Sequence, residues 1–282
     1  MVLKMSDNPL VEYFRRPALY ITLPSKGKFY PEGTLNVPES GEIPVYPMTA
    51  IDEITYRTPD ALFNGTATAE IIQSCVPAIK NAWLIPGIDI TPILTAIRIA
   101  SSGKMMDITT ECPKCEARDD YEIDLSEVLA QIGSPDYDRP MVVGDLEIFF
   151  KPLTYADVNR NNKISIEENR LLDMLKNSDS DEKEKITLLA DAFKKVSAIT
   201  VETIVKNIDY IITPNAKVDQ PEFIHEFITK CDNNIFKDIK KYIVQQRVVS
   251  DTKPVKIKCD NCGHEYLQPY TLDMSNFFEQ DS

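Results

Sequence analysis

Two segments decide the fold of this chain: Met106-Asp107-Ile108-Thr109-Thr110-Glu111-Cys112-Pro113-Lys114-Cys115 and Val255-Lys256-Ile257-Lys258-Cys259-Asp260-Asn261-Cys262. Each is a polar–apolar alternation running into a Cys-x-x-Cys pair. Each is followed by a second such run, Tyr121-Glu122-Ile123-Asp124-Leu125-Ser126 in one case and Tyr270-Thr271-Leu272-Asp273-Met274-Ser275 in the other. The alternation predicts strands, so residues 105–125 and 255–270 each read as strand, knuckle, strand, ending in that polar–apolar stretch. The two-residue gap lets a tight turn point both sulfurs at one ion, and four thiolates complete a tetrahedron around zinc. The expected ligands are Cys112, Cys115, Cys259 and Cys262, and the expected cofactor is a structural Zn2+. A four-sulfur shell is closed and leaves no position for a catalytic water.

The separation of the pairs departs from a compact ribbon, which has about 15 to 20 residues between them. Here well over a hundred intervene. A helical insertion accounts for this, because loop-closure entropy grows only logarithmically with length. Two unrelated redox pairs or free thiols are the alternative. A thioredoxin-type role would need a pair on a strand-to-helix turn, and neither pair sits on one. His264 follows the second pair and is either a substitute ligand or an exposed loop residue. Cys75 and Cys231 fall at apolar helical positions and read as buried small hydrophobes.

Outward from the cysteines the chain divides into an N-terminal arm (1–16), a mixed α/β region (17–104), a split ribbon (105–125 plus 254–275) and a hairpin with a helical insertion (126–253). The fold class is α+β. Leu19, Ile21 and Leu23 alternate as a strand, and a second strand is expected at 43–46. Thr49 can cap a helix over 50–57. Thr58-Pro59-Asp60 restarts a helix, which Gly65 ends in the left-handed conformation. Further helices are expected from Thr66 or Thr68 to Cys75, and from 89–92 to Ser101, with Gly103 closing the latter. A short helix opens at Asp124-Leu125-Ser126, and 141–150 forms a hairpin turning at Gly144-Asp145. Beyond Thr154, whose pairing with Asp157 resembles a capping box, the chain reads as mostly helical: a helix with an apolar stripe at Leu171, Leu172 and Leu175, then helices at about 182–197, 200–211, 219–230 and 234–249. The acidic run Asp179-Ser180-Asp181-Glu182 suits a helix N-terminus.

Composition narrows the function. The formal charge of -13 disfavours non-specific binding to nucleic acid or to an anionic membrane. Lys237, Lys240 and Lys241 come closest to a basic cluster, and their helical spacing reads as a solvated face. No segment approaches the roughly 18 apolar residues of a membrane span. The N-terminus lacks the apolar core of a secretory signal, so an intracellular protein with reduced thiols is expected.

Two signals resemble chemistry. Residues 157–168 place oxygen-bearing side chains near the positions of a calcium loop. However, Asn162 stands where glycine is needed, and no helix is expected before Asp157. A polar first stretch of a helix is the plainer reading. Trp83, the one tryptophan, reads as a core or interface anchor. With two histidines, His225 and His264, and no nucleophile elbow, phosphate loop or dinucleotide fingerprint, no catalytic set emerges, and no enzyme is expected.

Leu23-Pro24-Ser25-Lys26-Gly27-Lys28-Phe29-Tyr30, Val45-Tyr46-Pro47-Met48-Thr49-Ala50, Arg57-Thr58-Pro59-Asp60-Ala61-Leu62, Asn64-Gly65 and Cys75-Val76-Pro77, together with the two cysteine pairs, give the chain a likeness to a known family. It resembles the T-even-type phage baseplate hub subunits, also described as hub assembly proteins, most specifically over residues 19–125. The resemblance implies a non-enzymatic myophage tail protein, either a hub component or a factor that helps the hub assemble. It also implies other baseplate hub and tail proteins as partners, and a location in the host cytoplasm during assembly or in the virion tail. Two other classes stand beside it: a nucleic-acid-binding zinc ribbon such as a transcription factor, against which the acidic charge speaks, and a metal-dependent enzyme.

Overall fold

A computed structural model describes residues 8–57, 65–176 and 182–269. The helix expected to restart at Thr58, the acidic run at Asp179 and the flank 270–275 lie outside these residues, as do the side chains of Leu171, Leu172 and Leu175. The class is α+β, with eight helices and several small sheets among the described residues.

The first core gathers around β1 (Leu19–Ile21) and β2 (Ile43–Val45), an antiparallel pair in which Leu19 faces Val45 and Ile21 faces Ile43. Three helices cover it: α1 (Ala50–Tyr56), α2 (Thr66–Cys75) and α3 (Gly87–Ser102). Thr49 and Asp52 form a full capping box at the start of α1. Gly65 precedes α2 with a left-handed φ of 75°; a Cβ there would lie 2.7 Å from the Tyr155 hydroxyl. Ile43, Val45, Ile71, Ile72, Ile93 and Ile97 are fully buried between these elements. Trp83 is half-buried against the same core and stacks on Tyr155 with ring centroids 5.2 Å apart.

The second core lies beneath a four-stranded sheet of order β5-β6-β7-β8, formed by Met141–Val143, Leu146–Phe150, Ile208–Ile212 and Lys217–Val218. Its helices are α6 (Glu182–Asn207), α7 (Pro221–Lys230) and α8 (Asn233–Ser250), while α5 (Tyr155–Lys176) places Tyr155 in the first core and is tied to α6 through Arg160–Glu202 and Asn161–Thr203. Sequence periodicity placed a helix break near residue 199 and helix through residue 211. Instead α6 runs unbroken to Asn207, and residues 208–212 form a strand. Ala198-Ile199 contains no breaker, and Thr200 satisfies its hydroxyl on the Val196 carbonyl within the helix. The β-branched and aromatic run Ile208-Asp209-Tyr210-Ile211-Ile212 then pairs with β6, where Phe149 and Tyr210 stack at 4.5 Å. Two backbone bonds join the cores, from the Gly87 amide to the Leu153 carbonyl (2.6 Å) and from the Tyr155 amide to the Ile85 carbonyl (2.8 Å).

The remaining strands form two separate hairpins. β3 (Met105–Glu111) pairs with β4 (Arg118–Asp124), and β9 (Val255–Lys258) pairs with β10 (Glu265–Gln268). Asp124 caps the short helix α4 (Leu125–Ala130) by accepting from the Ser126 amide. Ile123, Leu125 and Val128 form a small third core, with Ile99, Met106, Ile108 and Val255 around it. Val255 of β9 packs against this core, so the second hairpin touches the first through one apolar side chain as well as at the cysteines.

Residues 157–168 lie within α5 and do not form an ion-binding loop. Asp157 closes a capping box with Thr154, its oxygen accepting from the Thr154 hydroxyl at 2.7 Å, and it pairs with Lys206 of α6. The lysine and the threonine hold its carboxyl below the usual range against the opposing effect of burial. An acidic residue that is both a helix cap and an inter-helix tie is not free to serve calcium.

Candidate metal centre

The β3–β4 turn and the β9–β10 turn are built alike. In each, the amide of the first cysteine donates to the carbonyl five residues on: Cys112 to Ala117 and Cys259 to His264, both at 2.9 Å. The amide four residues on returns to the first cysteine, Glu116 to the Cys112 carbonyl and Gly263 to the Cys259 carbonyl, at 2.9 and 2.8 Å. The residue after each second cysteine, Glu116 or Gly263, is left-handed, with φ of 59° and 69°. This bend turns the chain back while leaving both sulfurs on one side.

The two turns face each other. Cys112 Sγ lies 3.8 Å from Cys262 Sγ, and Cys115 Sγ lies 3.6 Å from Cys259 Sγ. All four sulfurs fall within 4.8 Å of one another. A tetrahedron with Zn–S bonds of about 2.3 Å has sulfur–sulfur edges of about 3.8 Å. The two cross-hairpin distances therefore match a tetrahedral thiolate cage, and the four cysteines could hold a metal ion. Cys112 and Cys259 are buried, Cys115 is half-buried and Cys262 is exposed, so the group sits at the edge of the molecule. Across the ribbon, the Thr110 hydroxyl donates to Gln268 Oε1 at 2.7 Å. The Asn261 side-chain amide approaches Cys115 Sγ at 3.6 Å.

Electrostatics within the group are uneven. The Ala117 amide, seconded by neighbouring groups, pulls the Cys115 thiol down to about 6. At Cys262 the His264 amide favours the thiolate, but desolvation and the other three sulfurs push the thiol up to about 12. Four thiolates in contact repel one another, and a divalent cation at their centre removes that conflict. The group has the donor chemistry of a zinc or other soft-metal site.

Each remaining site residue singled out from the sequence has a place. His264 lies outside the converging donors, half-buried, with its ring stacked on Tyr266. Cys75 is fully buried, and desolvation pushes its thiol up to about 12. Cys231 departs from the expectation of a buried hydrophobe: it is half-buried just past the end of α7, with its Sγ 3.6 Å from the Ile228 carbonyl. His225 is exposed on α7.

Two polar anchors escaped the sequence reading. Asp89, fully buried at the start of α3, accepts from the Ser25 amide (2.8 Å), the Ser25 hydroxyl (2.5 Å) and the Tyr30 hydroxyl (2.9 Å). It thereby folds Leu23–Tyr30, in which Lys26 and Phe29 both have positive φ. Burial raises its carboxyl to about 6, against the lowering effect of the Ser25 and Tyr30 hydrogen bonds. Arg15 fixes the arm in the same manner. Its guanidinium donates to the Pro47 carbonyl (2.7 Å) and the Ser74 carbonyl (2.8 Å), and pairs with Asp52 at 3.3 Å. Leu10, Val11, Tyr13 and Phe14 of the arm remain exposed. An acidic residue in the first turn of a helix and an arginine two residues before a proline carry no local mark of these long-range roles.

No helix among the described residues is long and apolar enough to cross a membrane. No curated protein and no solved structure gave a match. A family model described as T4 bacteriophage base plate protein matches residues 22–279, a span that takes in the first core apart from β1, the second core, both knuckles and the Leu23–Tyr30 stretch. The chain belongs to the T4 bacteriophage base plate protein family.

Proposed function

We propose that this chain is a non-enzymatic structural protein of the phage baseplate hub that acts by docking to other hub and tail proteins, with a structural zinc ion at Cys112, Cys115, Cys259 and Cys262. The family match over residues 22–279 is the observation that carries the baseplate reading. The zinc reading rests on cross-hairpin sulfur distances of 3.6 and 3.8 Å. Zinc there closes its shell with protein sulfur and supplies no chemistry to a substrate; it joins the two ends of the 126–253 segment and adds its binding energy to folding. The exposed arm and the helices of that segment then offer surfaces in fixed relation to one another. A nucleic-acid role finds little support, since the outer face of the first hairpin carries Asp107, Glu111, Asp120 and Glu122.

The test is quantitative mass spectrometry of purified particles beside infected-cell lysate. A fixed copy number per particle makes the chain a hub component. Abundance in lysate with absence from particles makes it an assembly chaperone working in the host cytoplasm. Absence of any association with tail proteins in both samples overturns the baseplate reading.

A further inference from the structure

The two knuckles share a backbone but differ in what surrounds their sulfurs. In each, the second cysteine accepts a backbone amide from two residues on: Cys115 from Ala117 and Cys262 from His264. Cys115 has a further donor. The side-chain amide of Asn261, which lies between the two cysteines of the other hairpin, reaches across to Cys115 Sγ at 3.6 Å. Lys114 holds the corresponding position in the first knuckle, where Cys112-Pro113-Lys114-Cys115 stands against Cys259-Asp260-Asn261-Cys262. Lys114 is exposed, and among the described residues no side-chain N–H reaches Cys262.

Thiolates gathered on one divalent cation keep excess negative charge, and N–H donors in the outer shell offset it and fix each ligand's direction. A backbone donor comes with the turn itself. A side-chain donor depends on which residue stands at the position, so it distinguishes two turns of the same shape. Asn261 and Cys115 are 146 positions apart in the chain, and their bond therefore also joins the hairpins. The Thr110–Gln268 bond at 2.7 Å is a second polar tie between them. Asn261 is exposed, so its replacement empties no core position.

We infer that Asn261 is a positioning residue of the metal centre, whose side-chain amide holds the Cys115 sulfur in the shell from the opposite hairpin, strengthens metal retention and shields that sulfur from electrophiles. The inference rests on the zinc reading given above. It assigns unequal roles to the two second cysteines. Cys115, half-buried and bonded by Asn261, is the retained ligand. Cys262, exposed and without a side-chain N–H donor, is the ligand that leaves the metal first and meets an electrophile first.

The test compares the full zinc-loaded chain with Asn261→Leu, Asn261→Asp and Asn261→Gln. Asn261→Leu keeps the bulk and loses the donor, and should lower zinc affinity about tenfold in competition with a chelator. Asn261→Asp sets a carboxylate against the sulfur and should lower it further. Asn261→Gln keeps an amide donor and should recover most of the affinity. Two readouts separate this role from a structural one. With Co2+ in place of zinc, the sulfur-to-metal charge-transfer band should move to longer wavelength in Asn261→Leu, because a thiolate without its donor gives up an electron more readily, and should return in Asn261→Gln. With limiting iodoacetamide, mass mapping should find Cys262 alkylated before Cys115 in the wild type and both alkylated together in Asn261→Leu. Affinity, band and alkylation order all unchanged in Asn261→Leu overturn the inference and leave the zinc site standing. Lost affinity with the band and the alkylation order unmoved also overturns it, since Asn261 then acts on the fold alone. A wild type that binds neither zinc nor cobalt overturns the zinc reading itself, and this inference with it.

Discussion

Glu116 and Gly263 occupy the same position in the two knuckles. Each follows the second cysteine, each has a left-handed φ (59° and 69°), and each returns its amide to the carbonyl of the first cysteine. One copy of the turn uses the residue that adopts this conformation freely and the other does not. The glutamate costs backbone energy at a place where the two turns are otherwise alike.

Replacing that glutamate should therefore help. Glu116→Gly is expected to stabilise the zinc-loaded protein by up to about 1 kcal/mol, since the strain removed exceeds the entropy that glycine adds to the unfolded chain. Gly263→Ala should cost about 1 kcal/mol. No atom lies within 4 Å of a Cβ built at Gly263, so that loss would be backbone strain alone. Urea midpoints at unchanged slope measure both effects.

Metal analysis should find close to one zinc per chain. Cys112→Ser and Cys259→Ser, though on different hairpins, should each lower occupancy and cost about 3 kcal/mol or more, because each opens the same shell. Full zinc occupancy with unchanged melting in both variants would exclude a shared site.

Asp89 makes stability depend on pH in an unusual direction for a carboxylate. Its carboxyl is raised to about 6 when folded, above an unfolded value of about 3.9. Between these values the folded state binds more protons, so this group's stabilising contribution is greatest at low pH and is lost as pH rises through 6. The shift corresponds to about 3 kcal/mol. Asp89→Asn removes the titration. The stability margin of wild type over Asp89→Asn should narrow by about that amount between pH about 4 and about 7, whereas loss of metal in acid affects both proteins alike. A margin constant across that range would show that Asp89 does not titrate there.

Arg15→Ala should cost about 1–3 kcal/mol, because the buried Asp52 loses its cation and two carbonyls lose donors. Arg15→Lys should recover little, since one ammonium cannot replace a planar fork that reaches Pro47 and Ser74 together. Limited proteolysis should cut near residues 8–14 sooner in both variants than in the wild type.

Much of this molecule is written over short stretches of sequence. The doubled Cys-x-x-Cys with alternating flanks identifies both knuckles, Thr49 and Thr154 mark helix starts, and Gly65 and Gly103 mark left-handed or closing positions. Each depends on hydrogen bonds or backbone preferences within a few residues, so neighbouring side chains suffice to specify it. The meeting of Cys112 with Cys262 and of Cys115 with Cys259, pairs 150 and 144 positions apart, was decided by tertiary structure. So were the burial of Asp89 under Ser25 and Tyr30 and the docking of Arg15 on α1 and α2. Residues 208–212 make the distinction sharpest: their composition admits a helix or a strand, and only the waiting edge of β6 settles which, because strand stability resides in cross-strand partners and not in the segment itself.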